Sequence, residues 1–152
     1  MPVQVHRERR VEGPVTLPEH ADFARADLEL YGINHFRPSF TVHVYLNAAD
    51  ADELDPGGDS YAGSFSIFGH QRCYGSEGHC EVHDHLRRFD DRPSHPLTRA
   101  FKRVVITEAL RRVLQSGTRE LTITFDVIAP AEGPADEPIL DLQGVQIATF
   151  DD

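Results

Sequence analysis

Apolar and polar residues alternate along much of this chain, and strict alternation is the pattern of a half-buried β-strand. The clearest example is SFTVHVYLN at residues 39–47. Its apolar residues share one face of the predicted strand, namely Phe40, Val42, Val44 and Leu46, and the other face carries Thr41, His43, Tyr45 and Asn47. Similar patterns predict further strands at residues 26–33, 61–68, 100–106, 120–130 and 139–150. These patterns predict a protein built mainly from sheets.

One segment has helical periodicity instead. Residues 107–117, TEALRRVLQSG, place Leu110, Val113 and Leu114 on one face. Thr107 is the predicted N-cap of this helix. Because no crossover helices separate the other strands, antiparallel pairing is expected. The predicted fold class is therefore all-β, an antiparallel, jelly-roll-like β-sandwich of six to seven strands with one short helix.

The chain has 152 residues, the usual size of one domain. Its first twenty residues are polar and contain three prolines, so residues 1–20 are predicted to form an N-terminal arm or an edge segment. Residues 21–152 are predicted to form a single sandwich domain. A loop at residues 69–96 interrupts this domain, and a loop of that length inside a compact fold is uncommon unless it has a function.

Composition and charge narrow the choice of partner. The profile of 39% hydrophobic and 26% charged residues is that of an ordinary globular protein. A net charge of -10 argues against a nucleic acid or an anionic membrane as partner, because both require a positive surface. No apolar run is long enough to span a bilayer. The N-terminus has no hydrophobic signal core, so the expected location is cytoplasmic.

The loop contains the most distinctive chemistry of the sequence. The stretch GHQRCYGSEGHCEVHDH, which we call the Cys/His segment (residues 69–85), holds both cysteines and four of the nine histidines. Its symmetric spacing predicts a metal site formed by His70, Cys73, Cys80 and His83, with His79 and His85 as alternates. Two thiolates and two imidazoles suit zinc, and copper(I) binds fewer ligands of the same types. The cofactor is therefore predicted to be copper or zinc.

Other interpretations of the two cysteines stay open at this stage. A disulfide between Cys73 and Cys80 would close a short loop, and free thiols are a further alternative. The remaining histidines are interpreted as surface residues rather than ligands. In particular, His43 is predicted to be an exposed imidazole on a sheet face, and His35 and His95 are predicted to lie at the surface beside turns that contain proline.

The order of motifs resembles the C-terminal domain of tyrosinases and polyphenol oxidases, and mollusc haemocyanins have a related β-sandwich. The motifs are VYLN (44–47), YAGSF (61–65), ITEALRRVL (106–114), LTITFDVIAP (121–130) and LQGVQI (142–147). The resemblance covers roughly residues 26–150. Where the plant signature begins with Lys-Phe-Asp, this chain has Thr41, Val42 and His43.

The resemblance implies a role without catalysis. In tyrosinases this domain is a lid over the copper site, in some fungal members its cysteines are thought to assist copper loading, and separate caddie proteins load some bacterial enzymes. The dicopper centre itself needs six histidines, largely on a four-helix bundle. This sequence has no stretch for such a bundle, because Gly75 and Gly78 disfavour a helix around the pair His79 and His83. We therefore expect a free-standing lid or copper chaperone for a tyrosinase-like copper oxidase.

Two alternatives from other classes remain. A small metalloenzyme or redox protein would have an open coordination position at the same loop. A purely structural domain would have the Cys73–Cys80 disulfide instead of a metal. A closed site with four protein ligands would favour the accessory role, whereas an open position beside a pocket would favour catalysis. The oligomeric state has no signal in the sequence.

Overall fold

The computed structural model describes residues 5–70, 88–89, 98–130 and 137–152. The strands and the α-helix in these ranges are β1 (Val5–Val15), β2 (Arg25–Ile33), β3 (Phe40–Leu46), β4 (Tyr61–Ile67), β5 (Ala100–Val105), α1 (Thr107–Gln115), β6 (Leu121–Pro130) and β7 (Gly144–Phe150). A single turn of 3-10 helix follows β3 at Ala51–Glu53. No helix in the described ranges is both long and apolar enough to cross a membrane.

The strands form two antiparallel sheets. One sheet has four strands in the order β1-β6-β3-β4, and the other has three in the order β5-β2-β7. Every strand pair is antiparallel. The predicted all-β sandwich of six to seven strands with one short helix is therefore confirmed. The first strand, β1, lies at the edge of the larger sheet and pairs with β6.

The hydrophobic core lies between the two sheets, where the apolar faces predicted from alternation meet. The larger sheet contributes the predicted face of β3 and the buried face of β6, listed by residue as Phe40, Val42, Val44, Leu46, Leu121, Ile123, Phe125 and Val127. The smaller sheet contributes Ala26, Leu28, Leu30 and Val104. Helix α1 closes one end of the core with Ala109 and Leu110, and Val113 and Leu114 pack beside them. The predicted inward stripe of the helix is thus largely correct.

The predicted N-cap role of Thr107 is wrong. The N-cap position is Ile106, and no side chain caps the helix there. The Thr107 hydroxyl oxygen instead accepts a hydrogen bond of 3.0 Å from the backbone N–H of Ala26. The backbone N–H of Ile106 donates to the carbonyl oxygen of Ala26 at 2.9 Å. These two bonds satisfy the backbone N–H and carbonyl groups of Ala26 at the start of β2. Thr107 therefore binds β2 instead of capping its own helix.

The last strand is shorter than predicted, because β7 begins at Gly144 rather than near residue 139. Leu140 is nevertheless fully buried. Side chains of β1 bind its backbone, since Arg10 donates to the Leu140 carbonyl oxygen at 2.8 Å and Glu8 accepts from the Leu140 N–H at 3.0 Å. A buried backbone N–H or carbonyl group needs a hydrogen-bond partner. For Leu140 the charged side chains of Glu8 and Arg10 provide the bonds that a neighbouring strand would otherwise make.

The outer face of β3 is more buried than its polar residues suggest. Tyr45 lies on this face, as alternation predicts, since it pairs with Thr124 of β6, yet its exposed fraction is 0%. A register shift between Val44 and Tyr45 pairs Tyr45 with Tyr61 of β4, and their ring centroids lie 5.6 Å apart. Burial raises the pKa of the Tyr45 hydroxyl, with a smaller contribution from the negative charge of Asp126. His43, on the same face, is half-buried rather than exposed.

A glycine in the middle of β4 marks the place where the two sheets approach each other. Gly63 has a φ of +149°, and a Cβ atom added there would lie 2.7 Å from Cγ1 of Val104 in β5. Both the backbone conformation and the space therefore favour glycine. The contact joins an edge of the four-stranded sheet to an edge of the three-stranded sheet.

We expect Gly63→Ala to lower the free energy of unfolding by about 2 kcal/mol or more, because it adds overpacking to backbone strain. Urea unfolding measures this loss. In a Val104→Ala background the same substitution should cost less, since the atom that it meets is gone. Gly144→Ala is the matched control, because a Cβ there has no heavy atom within 4 Å. Equal losses in the two backgrounds would contradict the steric explanation.

Candidate functional site

One of the predicted metal ligands, His70, lies in the part of the chain that the structure describes. The other predicted ligands and alternates lie outside the described residues, namely Cys73, His79, Cys80, His83 and His85. The site is therefore built from His70 and its surroundings.

The position of His70 is set by the residue before it. The Gly69 N–H donates a hydrogen bond of 2.9 Å to the Ser39 hydroxyl. A Cβ atom added to Gly69 would lie 1.9 Å from the carbonyl oxygen of Arg37. The chain that leaves β4 thus lies directly against the backbone that enters β3, and a side chain at position 69 would prevent this contact.

This close approach brings His70 to a second histidine, His35, in the turn after β2. Their Nδ1 atoms lie 3.1 Å apart. The rings meet edge to face, with centroids 4.8 Å apart and an angle of 77°. The backbone N–H of His70 also donates to the carbonyl oxygen of His35 at 2.6 Å. We call His35 and His70 the imidazole pair, and both backbone and side-chain contacts hold it.

The other nitrogen of His35 determines where its proton lies. Nε2 is 2.6 Å from the carbonyl oxygen of Thr98. Because a carbonyl oxygen accepts but never donates, Nε2 must carry the hydrogen. In the neutral ring, Nδ1 then has a free lone pair directed at His70. His35 was predicted to be a surface residue, but it is half-buried and has partners at both ring nitrogens.

Asp141 holds the two backbone segments that position His35. Its carboxylate accepts hydrogen bonds from Arg99 at 3.2 Å and from the Asn34 amide at 3.4 Å. Its carbonyl oxygen accepts from the Asn34 N–H at 2.8 Å. Arg99 also donates to the Gly32 carbonyl oxygen at 3.0 Å. We call Asn34, Arg99 and Asp141 the Asp141 anchor, since it fixes the neighbours of both His35 and Thr98.

Electrostatics at the anchor follow from these contacts. The hydrogen bond from Arg99 is the largest cause that lowers the pKa of Asp141, and the bond from Asn34 adds to it. Partial burial acts in the opposite direction but is outweighed. Asp141 therefore stays ionised well into the acidic range, and the anchor persists at neutral pH.

Two aromatic rings flank the imidazole pair. The ring of Phe36 lies 4.9 Å from that of His35, and the ring of Phe68 lies 5.5 Å from that of His70, measured between centroids. Phe68 is 77% exposed, an unusual position for a large apolar side chain.

The imidazole pair supplies two nitrogen ligands of a kind that suits both zinc and copper. In the described ranges, no group of three or more His, Cys, Asp or Glu side chains converges as a metal site would require. Within those ranges the imidazole pair is therefore a contact between two such side chains. The spacing of His70 to cysteine predicts it as a ligand, and this stays a prediction. The sequence gives no sign that His35 lies beside His70, because no local pattern connects residues 35 positions apart.

Comparisons with known proteins give a distant match in structure alone. No family model matches the chain, and no curated protein matches its sequence. Among solved structures, the chain is similar to latent aurone synthase, a polyphenol oxidase, from natural source, with 18% identity and a TM-score of 0.47. The recombinantly expressed latent enzyme matches with 18% identity and a TM-score of 0.48.

These matches cover 97% of this chain but 24% of the enzyme chains. They are to polyphenol oxidases, the family whose C-terminal domain the motifs resemble, and the chain spans about a quarter of the length of those proteins.

The lowered pKa of Asp141 generates a prediction about pH. A group with a lowered folded-state pKa stabilises the fold above its unfolded pKa, and the contribution is lost as the pH falls through the folded pKa. Wild type should therefore exceed Asp141→Asn in unfolding free energy by about 0.5–1 kcal/mol at neutral pH, after allowance for solvent screening. The difference should shrink below about pH 4.

Urea unfolding across the acidic range measures this difference. Asp22→Asn is the control, since Asp22 is an exposed aspartate. Its effect should be small at every pH. A difference between wild type and Asp141→Asn that does not change with pH would contradict the role of the Asp141 charge in the anchor.

Proposed function

We propose that this chain is a non-catalytic accessory domain of the polyphenol oxidase type. In this proposal it binds a copper or zinc ion through the Cys/His segment, with His70, Cys73, Cys80 and His83 as ligands. It docks on a partner copper oxidase and acts there as a lid or as a copper chaperone. The observation that carries the proposal is the imidazole of His70, which is held 3.1 Å from a second imidazole where the Cys/His segment begins.

The accessory part of the proposal is supported by where the family-like motifs lie. VYLN ends β3, YAGSF lies in β4, and LTITFDVIAP is β6. ITEALRRVL covers all of α1 except its last residue, and LQGVQI leads into β7. The motifs therefore fall on β3, β4, α1, β6 and β7, in the order that these elements take along the chain. A match confined to one strand would have carried much less weight.

The metal part of the proposal is supported by ligand chemistry and rigidity. His70 follows directly from β4, and the Gly69 contact with Arg37 fixes its backbone. A ligand that is positioned before the metal arrives loses little entropy on binding. The first cysteine of the segment comes three residues later, a spacing that lets a thiolate and an imidazole bind one ion. Imidazole and thiolate together select zinc or copper over hard cations.

Metal content and thiol content of the purified chain test this proposal together. After loading and dialysis, we expect about one zinc or copper ion per chain. Cys73→Ser should lose most of this metal, because a site with fewer thiolates binds more weakly. Elemental analysis gives the metal content, and reaction with a thiol reagent in denaturant gives the free cysteines. Ser64→Ala, at an exposed position in β4, is the control and should retain the metal.

The outcomes separate the three interpretations of the segment. A chain with no metal and no free thiols would overturn the proposal in favour of a Cys73–Cys80 disulfide. Bound metal with an exchangeable water, detected by water relaxation of a cobalt-substituted sample, would favour the metalloenzyme or redox alternative. Bound metal without such a water supports the accessory role.

Addition of the chain to a tyrosinase separates the lid from the chaperone. A lid should inhibit phenol oxidation by the active enzyme in a saturable way. A chaperone, loaded with copper, should reactivate the copper-depleted enzyme faster than the same concentration of free copper. If the chain has neither effect, docking on the enzyme tested is excluded. That result would contradict both the lid and the chaperone role.

A further inference from the structure

We propose that His35 is a metal ligand, and that the Nδ1 atoms of His35 and His70 bind one zinc or copper ion between them. This inference rests on the proposed function. A tetrahedral site has four positions, and His35, from the sandwich, takes one of them in place of a ligand from the Cys/His segment. Its starting point is the convergence of the two Nδ1 atoms to 3.1 Å.

The distance between the two nitrogens is close to that of a bidentate site. Two nitrogens bound to one tetrahedral zinc ion, each about 2.0–2.1 Å from the metal, lie about 3.3 Å apart. A metal ion that replaces the shared proton of the imidazole pair would keep the two nitrogens near their present separation, with each ring turned toward the ion. A hydrogen bond between the rings has a similar length, so other features must distinguish the two states.

The contact with Thr98 is the first such feature. A histidine that binds metal through one nitrogen commonly donates its other N–H to a carboxylate or a backbone carbonyl. His35 has this arrangement, with Nε2 at 2.6 Å from the Thr98 carbonyl oxygen. The bond sets both the tautomer and the ring orientation. Nδ1 of the neutral ring is therefore available as a ligand before any metal is present.

The second feature is the rigidity of the imidazole pair. The His70 N–H donates to the His35 carbonyl oxygen at 2.6 Å, so the two backbones move together. The Asp141 anchor holds the residues next to His35 and Thr98. Ligand sites supported in this way by packed elements keep their geometry better than sites on loops alone.

A ligand on the sandwich has a measurable consequence. Metal bound by His35 and His70 would tie the start of the Cys/His segment to the body of the fold. Because the metal would bind the native chain better than the unfolded chain, it would raise the unfolding temperature. Removal of either imidazole should abolish most of this increase.

The test is zinc titration of the full chain by calorimetry, combined with histidine ¹⁵N NMR. His35→Gln removes Nδ1 but keeps an N–H that can donate to Thr98, so it separates ligation from positioning. We expect His35→Gln and His70→Gln each to weaken zinc binding by about 100-fold or more. This loss is larger than that typical for a residue that only hydrogen-bonds to a metal ligand. His20→Gln, at an exposed position, should bind like wild type.

The NMR measurement decides the question even if a variant folds poorly. In the wild type, zinc should shift the Nδ1 resonance of His35 and leave its Nε2 protonated. An unchanged resonance, with His35→Gln as tight as wild type, would overturn the role of His35 while the metal site of the Cys/His segment stands. Failure of the wild type to bind either zinc or copper would overturn the proposed function as well.

Discussion

The contact of Gly69 with the backbone at Arg37 and Ser39 is the constraint on which the candidate site depends. It is possible because position 69 has no side chain, since an added Cβ would lie 1.9 Å from the Arg37 carbonyl oxygen. The contact sets the end of β4 against the turn between β2 and β3. Only then does the His70 N–H reach the His35 carbonyl oxygen, and only then do the two imidazoles meet.

A series of polar contacts connects the imidazole pair to β1, the edge strand of the larger sheet. Glu8 and Arg10 of β1 bind the backbone of Leu140. The next residue, Asp141, holds Asn34 and Arg99, which adjoin His35 and Thr98. The edge strand and the imidazole pair are thus joined through polar contacts rather than through the core. Such contacts respond to pH and salt more than apolar packing does, because each depends on a charge.

The elements were predictable from the sequence to the extent that their signals are local. Alternation placed β3 within one residue at each end, and helical periodicity found α1. The misses have tertiary causes. Thr107 was taken as an N-cap because it begins the helix, but the start of β2 uses its hydroxyl oxygen. Tyr45 lies on the outer face that alternation predicts, but its complete burial there, beside Tyr61 of the next strand, has no local signal.

By itself, the sequence determined the sandwich, its antiparallel sheets, and the segment in which cysteine and histidine are concentrated. Each of these has a local signal, either the alternation of apolar residues or the spacing of cysteine and histidine. The hydrophobic effect then buries the apolar face of each strand. The tertiary structure alone decided that His35 faces His70 and that a carbonyl oxygen orients its ring. Residues so far apart along the chain share no period, and they meet because one glycine lets two backbones touch.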